Sequence, residues 1–248
     1  LLCLVGSEMC IRDRVLNAGL NTGVEQIIKT SSIVAMFRKP NRTNPYTFGE
    51  NDWSDENWIE GVSDYFLSKT KAEKAAWKLM ESKGLKNKLT TINPGGVFGD
   101  ALDKKGGTSI EYIRQFMKGK FPGAPKFAVL ISDVKDIAKA HVACIGNNKV
   151  GGRRLIVGKD VKRLVELSQL IAEAMPEYKK KLPTKELPNL MVKLISYIDT
   201  SAKTMIPDLG IMMQTDTSYA EEILGFKFKP AKGCISENAK SVVRLGLV

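Results

Sequence analysis

Two short apolar segments with a long amphipathic segment between them constrain the fold of this chain more than any other feature. Residues 25–30 and 89–92 are predicted strands, and residues 64–83 carry small and apolar side chains at helical spacing. A strand, a helix and a second strand in this order predict parallel pairing through a right-handed crossover. Because parallel strands are covered on both faces of their sheet, an α/β protein is predicted.

Further elements are predicted on both sides of this unit. Helices are expected at 15–23, 109–117, 134–146, 161–175, 219–225 and 236–246, strands at 127–131 and 153–157, and irregular structure at 37–62. We find no internal repeat and no low-complexity tract. The alternation of strands and helices continues the α/β pattern through most of the chain.

Charge and composition argue against several classes of protein. The formal net charge is +11, but the basic residues are scattered and accompany no nucleic-acid-binding motif, so a solvated basic surface is expected. No apolar run approaches the ~20 residues that a membrane helix needs. We therefore expect neither a nucleic-acid partner nor a membrane partner.

The rare reactive residues exclude further kinds of site. The single histidine, His141, argues against a Ser-His-Asp triad and against a histidine-rich metal centre. Of the four cysteines, Cys3 and Cys10 belong to the unusual first segment described below, and Cys144 and Cys234 alone make neither a disulfide framework nor a metal site. A reducing compartment is the simplest interpretation, so a cytoplasmic protein without a bound metal is expected.

The first residues differ in character from the rest. From Leu4 to Asp13 they match, residue for residue, the translation of a transposase adapter used in sequencing libraries. A signal peptide is disfavoured because charged residues interrupt the apolar core that such a peptide needs. We expect residues 1–14 to be non-native read-through and native sequence to begin near Val15, within a gene.

A tyrosine and a lysine begin the long predicted helix. Tyr65 and Lys69 are four residues apart and therefore share one helix face. A phenol has a pKa of about 10, and a neighbouring ammonium lowers that pKa because it favours the phenolate. Together with Ser32, at the carboxyl end of the preceding strand, the pair can exchange a proton with a carbonyl or alcohol. Such chemistry needs a hydride partner and so predicts a nicotinamide cofactor.

Five segments in a fixed order strengthen this interpretation. They are Thr30-Ser31-Ser32, Tyr65-x-x-x-Lys69-Thr70-x-Ala72-Glu73, Asn93-Pro94-Gly95-Gly96-Val97-Phe98-Gly99, Asp133-Val134-Lys135-Asp136-Ile137-Ala138-x-Ala140-His141 and Thr217-Ser218-Tyr219-Ala220-x-x-x-Leu224-Gly225-Phe226. The series resembles the extended short-chain dehydrogenase/reductase superfamily, also called the NAD-dependent epimerase/dehydratase superfamily, nearest to its dihydroflavonol-4-reductase-like branch. The resemblance covers the chain from Val15 to its end.

The resemblance implies a fold and a division into domains. The fold would be α/β, the C-terminal part of a Rossmann-type doubly wound parallel sheet plus a smaller, mostly helical substrate lobe. Residues 15–102 and about 126–158 would form the remainder of the dinucleotide-binding domain. Residues of about 103–125 and 159–248 would form the substrate lobe.

It also implies catalytic roles. Tyr65 would be the general acid that protonates the substrate oxygen, and Lys69 would lower the tyrosine pKa and bind the nicotinamide ribose. Ser32 would donate a hydrogen bond to the substrate oxygen. Ser31 is the competing candidate, and Ser32 is preferred because the last serine of the run is the active one in the family. Asp133, Asp136 and His141 would be structural.

The resemblance implies a cofactor site, and one departure bears on it. The expected cofactor-binding residues are Thr30, Ser31, Tyr65, Lys69, Pro94, Gly95, Gly96 and Val97. Two glycines would let the backbone approach the flat nicotinamide ring. The Gly-x-x-Gly-x-x-Gly turn that seats a pyrophosphate is not in this sequence. NADPH is favoured over NAD, although the residue that would select between them is missing as well.

The resemblance implies an oxidoreductase that reduces an aldehyde or ketone, with a small-molecule carbonyl substrate. A nucleotide-sugar epimerase or dehydratase is an alternative, disfavoured by the apolar residues 33–36 after the serine run, where a dehydratase usually has acidic residues. A hydroxysteroid-dehydrogenase-like enzyme and a non-catalytic dinucleotide-binding regulator are further alternatives. The sequence leaves a monomer and a homodimer equally open.

The missing glycine turn gives a testable expectation. Expressed as written, the chain should expose a strand edge, be poorly soluble, bind NADPH weakly or not at all and be inactive, because the pyrophosphate contacts are missing. Calorimetric titration with NADPH measures this directly. Micromolar binding by the 248-residue chain would contradict the expectation.

Overall fold

A computed structural model describes residues 14–58, 63–104, 107–198 and 200–248. Residues 1–13, which carry nearly all of the expected adapter-derived segment, lie outside the described part. So do residues 59–62 of the predicted irregular segment, and residues 105, 106 and 199.

Eight strands and nine helices occur in the described part. The strands are β1 (Ile27–Thr30), β2 (Tyr46–Thr47), β3 (Leu89–Pro94), β4 (Gly96–Phe98), β5 (Ala128–Asp133), β6 (Arg154–Val157), β7 (Val161–Arg163) and β8 (Met213–Gln214). The helices are α1 (14–21), α2 (Asp64–Ser82), α3 (Thr108–Met117), α4 (Val134–Cys144), α5 (Leu164–Ala174), α6 (Asn189–Ile195), α7 (Thr200–Lys203), α8 (Ser218–Leu224) and α9 (Ala231–Arg244). None of these helices is both long enough and apolar enough to cross a bilayer.

The predicted strand–helix–strand unit is confirmed. β1, β3 and β6 form a parallel sheet in the order β1-β3-β6, with Ile27 opposite Leu89 and Thr91 opposite Arg154. β3 is buried along its whole length, as expected for a central parallel strand. Among the described strands β1 pairs only with β3, so one edge of β1 has no neighbour in this part of the chain.

Two smaller sheets complete the fold. β4 pairs in parallel with β5, and β5 pairs with β7 in antiparallel orientation. β2 pairs in parallel with β8. Because β4 follows β3 after a single residue, the chain passes from the central sheet to the second sheet at Gly95.

Several predicted boundaries were wrong. The helix expected at 161–175 begins only at Leu164, because residues 161–163 pair with β5 as strand β7. The final helix begins at Ala231 and not at 236, since Ala231, Cys234 and Ile235 are buried in the core despite the intervening glycine. Tertiary pairing and burial outweigh local propensity at both places.

Three further strands were not predicted. β4 follows β3 beyond residue 92, where the predicted strand was expected to end. β2 lies in the segment 37–62 that was expected to be irregular, and β8 lies where no element was predicted. All three strands are only two or three residues long, too short to give a periodic signal.

The described part has four clusters of buried hydrophobic residues, and two of them bear on the position of α2 and of the helices α3, α5 and α9. One joins α3, α5 and α9 through Ile113, Phe116, Leu167, Ile171 and Ile235, all nearly or fully buried. The other packs Ala76, Trp77 and Met80 of α2 against Leu89 of β3. The second core fixes the height of α2 on the central sheet, and with it the position of every side chain that α2 carries.

Gly95 is required by packing inside the protein. A Cβ atom at this position would lie 2.3 Å from the backbone oxygen of Leu130, and one at Gly96 would lie 2.7 Å from a methyl group of Val129. The sequence predicted that these glycines let the backbone approach the nicotinamide ring. The structure adds a second reason for them, which is close packing within the protein. They let the β3–β4 junction lie directly against β5.

We therefore expect Gly95→Ala to destabilise the fold by about 2 kcal/mol, within the range for overpacked interiors. For a chain of this size that corresponds to a melting temperature lower by roughly 4–8 °C. Thermal unfolding followed by circular dichroism measures the shift. Gly49→Ala is the matched control, because a Cβ atom there meets nothing within 4 Å; equal melting temperatures for the two variants would refute the packing argument.

Candidate active site

Tyr65 and Lys69 lie on the first turns of α2, on one face of the helix as predicted. The Tyr65 side chain is 55% exposed. The Lys69 ammonium nitrogen lies 5.7 Å from the centre of the Tyr65 ring, within the range of a cation–π contact. The structure thus places a cation beside the phenol.

Ser32 lies just beyond the carboxyl end of β1. It caps a short 3₁₀ helix, Ile33–Ala35, where its Oγ accepts a hydrogen bond of 3.3 Å from the Val34 N–H. That bond uses a lone pair of the oxygen, so the hydroxyl hydrogen remains a donor for another acceptor. Ser32 is largely buried, with 8% of its surface exposed.

Ser32 and Tyr65 line the same cleft, which has a volume of about 770 Å³. Gly95, Gly96 and Val97 line it as well. Most of the remaining wall is apolar, including Ile33, Val34, Phe37, Phe66, Phe98, Ile110, Phe127, Leu164, Met205 and Met213. Ser32 and Tyr65 therefore place two proton-donating hydroxyls in a cleft whose wall is mostly apolar, the usual character of a small-molecule site. Polar side chains, among them Asp100, Asp103, Ser109 and Tyr112, line it as well.

Four of the predicted site residues do not line this cleft. The Ser31 hydroxyl donates to Glu73, which supports the choice of Ser32 over Ser31 as the active hydroxyl. Thr30 contacts His141, and Pro94 is buried in β3. Lys69 lies one helical turn behind Tyr65. The roles predicted for these residues remain predictions.

His141 has a structural environment. Its Nδ1 lies 2.8 Å from the Ile137 backbone oxygen, so Nδ1 must carry the hydrogen. Nε2 then accepts from the Thr30 hydroxyl at 2.8 Å. Asp133 caps α4 by accepting from the Lys135 N–H at 2.8 Å, and Asp136 accepts from the Lys229 N–H at 2.6 Å. Asp133 thus caps α4, while Asp136 and His141 connect α4 to Lys229 and Thr30.

One wall of the cleft carries a buried cation. Arg38 is 1% exposed, and its Nε lies 2.9 Å from Asp208 Oδ2. Its guanidinium carbon lies 3.3 Å from the centre of the Phe66 ring. Arg42 reaches the other oxygen of Asp208 at 2.6 Å. Burial lowers the pKa of Arg38, while Asp208 opposes that shift. Among the described residues no cluster of His, Cys, Asp or Glu side chains could hold a metal ion.

Two curated relatives match most of the chain. It is 28% identical over 94% of its length to cinnamoyl-CoA reductase 2 of Arabidopsis thaliana. It is 29% identical over 89% of its length to the NADPH-dependent methylglyoxal reductase GRE2 of Saccharomyces cerevisiae. The chain spans 64% of each of these relatives, less than two thirds of their length. No family model matches it.

The fold of this chain is also similar to that of a solved reductase structure. Gre2 of Candida albicans in complex with NADPH superimposes with a TM-score of 0.73 at 25% identity, covering 94% of this chain and 69% of that chain. These likenesses fit the resemblance to the extended short-chain dehydrogenase/reductase superfamily that the sequence motifs indicate. The Rossmann-type α/β fold expected from the sequence is confirmed.

One residue of the candidate site that sequence reasoning missed is Glu73. It is fully buried on α2, and its Oε1 lies 2.6 Å from Arg154 Nε, 3.2 Å from Trp77 Nε1 and 3.1 Å from Thr91 Oγ1. Its Oε2 accepts from Ser31 Oγ at 2.5 Å. Burial alone would raise the pKa of Glu73, but Arg154 and the hydrogen bonds hold that pKa below its usual value.

A signal for this pair was present in the sequence. Glu73 interrupts the stripe of Ala72, Ala76 and Met80, and a carboxylate on the buried face of a helix needs a partner. Arg154 opens the otherwise apolar strand β6. The sequence does not show that these two charges meet, because they are 81 residues apart.

Breaking this pair should be costly. We expect Arg154→Leu to lower the free energy of unfolding at pH 7 by about 3–5 kcal/mol, since it leaves a buried carboxylate without its cation. Urea denaturation at several pH values measures the loss. Because the folded-state pKa of Glu73 is lowered, the stabilisation is present above the unfolded-state pKa of about 4.3 and is lost as pH falls through the folded-state pKa.

The difference in the free energy of unfolding between the unmodified protein and Arg154→Leu is therefore expected to be largest at neutral pH and to decrease in acid. Arg153→Leu is the matched control. Arg153 is the preceding residue and also pairs with a carboxylate, Glu50, but its side chain is 36% exposed. We expect that control to cost less than about 1 kcal/mol, and a similar loss for both variants would contradict a special role of the buried pair.

Proposed function

We propose that this chain carries the proton-transfer part of an NADPH-dependent reductase of aldehydes or ketones. The observation that carries the proposal is the apolar cleft lined by both Ser32 and Tyr65, with Lys69 one turn along the same helix. The relatives described above are reductases by name, and two of those names or titles include NADPH. They favour this function over the epimerase, dehydratase, steroid-dehydrogenase and regulator alternatives.

The cleft has a suitable surface for a nicotinamide ring. Val97 is 37% exposed and lines the cleft together with Gly96, beside both hydroxyls. A bound nicotinamide would supply a hydride to the carbonyl carbon. Gly96, Val97 and the predicted contact of Lys69 with the ribose would hold it, although Lys69 does not line the cleft.

The chain's own residues would manage the charge that develops on the substrate oxygen. As the carbon–oxygen double bond opens, Ser32 donates a hydrogen bond to that oxygen and Tyr65 transfers its phenolic proton to it. The products are an alcohol and a tyrosinate, and the tyrosinate is stabilised by the neighbouring Lys69 cation until a proton returns from solvent. The 55% exposure of Tyr65 permits that return.

The cleft also bears on the class of substrate. Phenylalanine, isoleucine and methionine side chains form most of its wall, and methionine adapts readily to different shapes. Among the described residues that line the cleft, Arg38 is the one cation, and it is paired with Asp208; Asp100 and Asp103 are the acidic members of the wall. We infer an apolar, neutral aldehyde or ketone as the substrate.

A cytoplasmic location belongs to the same proposal. Cys144 and Cys234 are buried free thiols, as expected in a reducing compartment. The division into a dinucleotide-binding domain (15–102 and about 126–158) and a substrate lobe (about 103–125 and 159–248) also remains a proposal.

The test is NADPH oxidation with a panel of apolar aldehydes and ketones, using the 248-residue chain and the product of the complete coding sequence. We expect turnover by the latter, and Tyr65→Phe should lower its kcat by at least about 100-fold, the usual contribution of a general acid. Tyr197→Phe is the control, because Tyr197 is 83% exposed and does not line the cleft.

Three results would count against the proposal. Turnover of UDP- or dTDP-sugars in place of the carbonyl panel would favour an epimerase or dehydratase. NADPH binding without any turnover would favour a regulator. Unchanged kcat in Tyr65→Phe would remove Tyr65 from the mechanism.

A further inference from the structure

Asn93 connects the buried carboxylate of Glu73 to the backbone of Ser32. Its side-chain nitrogen donates to Glu73 Oε2 at 2.8 Å and to the Ser32 carbonyl oxygen at 3.1 Å. Its side-chain oxygen accepts from the Thr91 hydroxyl at 2.8 Å. Both amide hydrogens and the amide oxygen are therefore engaged, which fixes the orientation of the side chain.

Ser31 makes a second connection to the same carboxylate oxygen. Its hydroxyl donates to Glu73 Oε2 at 2.5 Å, and its backbone N–H donates to the Ile92 carbonyl at 2.7 Å. The turn formed by Ser31 and Ser32 is thus attached to Glu73 by one direct hydrogen bond and by one path through Asn93. Both paths are buried, where hydrogen bonds to a charge are strong.

Glu73 lies on the helix that carries the other proposed catalytic groups. It is four residues after Lys69 and eight after Tyr65, so all three lie along one side of α2. The opposite oxygen of Glu73 is held by Arg154 and Trp77, so the carboxylate cannot rotate away. One rigid carboxylate therefore links the serine turn to the helix that bears Tyr65.

We propose that Glu73 is a positioning residue for Ser32. It does not line the cleft and acts only through the turn: by holding Ser31 and Asn93 it sets where the Ser32 hydroxyl stands relative to the Tyr65 hydroxyl. This inference rests on the proposed reductase function. A displacement of the donor weakens its hydrogen bond to the developing oxyanion, so the loss appears in kcat.

Glu73→Gln is the direct variant, but it leaves Arg154 buried without a counter-charge and can simply unfold. Ser31→Ala is the sharper one, because it removes only the direct bond to Oε2 and keeps the ion pair. Ser168→Ala is its matched control: it also removes the hydroxyl of a buried serine, but one that bonds the Leu164 carbonyl within α5, away from the serine turn.

In the product of the complete coding sequence, Ser31→Ala is expected to lower kcat about tenfold, equivalent to about 1.4 kcal/mol, with the KM for NADPH within about twofold of the unmodified value. Ser168→Ala should leave both constants unchanged. A raised KM for NADPH with normal kcat in Ser31→Ala would instead make Ser31 a direct cofactor contact and overturn the positioning role.

A double-mutant cycle tests whether Ser31 acts through Ser32. Once Ser32→Ala has removed the donor, adding Ser31→Ala should cause no further fall in kcat. Additive losses of kcat would mean that Ser31 acts independently of Ser32 and would overturn the inference.

Hydrogen exchange of the 248-residue chain tests the geometry without turnover. Amides in residues 31–36 are expected to exchange about tenfold faster in Ser31→Ala and at the unmodified rate in Ser168→Ala. Equal exchange in the two variants would show that Glu73 does not hold the turn. If the unmodified protein reduces no carbonyl compound, the proposed function is wrong. The hydrogen-exchange experiment still decides, independently of activity, whether the conformation of the serine turn depends on Glu73.

Discussion

The buried carboxylate of Glu73 is the constraint around which this structure is arranged. A fully buried charge is tolerated only when it is paired and hydrogen-bonded, and Glu73 obtains its donors from separate parts of the chain. They come from α2 itself, from the turn after β1, from β3 and from β6. The packing of α2 on the central sheet and the position of the serine turn therefore depend on a single group.

The sequence predicted the fold where the signal is local. β1, α2 and β3 have clear periodicity, and their parallel pairing follows from the order of the elements. The prediction failed at residues 161–163, because the strand there is defined by pairing with β5, more than thirty residues away in sequence. It also failed at the start of α9, where burial in a core shared with α3 and α5 decides the boundary.

In the candidate site, too, the residues with a local sequence signal were predicted, and those defined by contacts between distant segments were not. Ser32 was predicted from its place at the carboxyl end of a strand, where ligands bind in open α/β sheets, and Tyr65 from its spacing to Lys69 on one helix face. The structure places both in one cleft, and their catalytic roles remain predictions. No role was predicted for Glu73, Asn93 or Arg154. Their hydrogen bonds form only when strands that are distant in sequence lie side by side. The sequence explained only part of the requirement for glycine at position 95, because the residue that a Cβ atom there would meet, Leu130, belongs to another sheet.

The stacking of Arg38 on Phe66 has a consequence for how the cleft responds to a ligand. Phe66 adjoins Tyr65 on α2, while Arg38 is tied to Asp208, close to the cleft residue Met205. The Asp208 N–H donates to the Met205 carbonyl at 3.0 Å, so Arg38 connects the segment around Met205 to the helix beside Tyr65. Under the proposed function, a compound that displaced this segment would also disturb the orientation of the phenol, and it would be discriminated by the rate of proton transfer as well as by affinity.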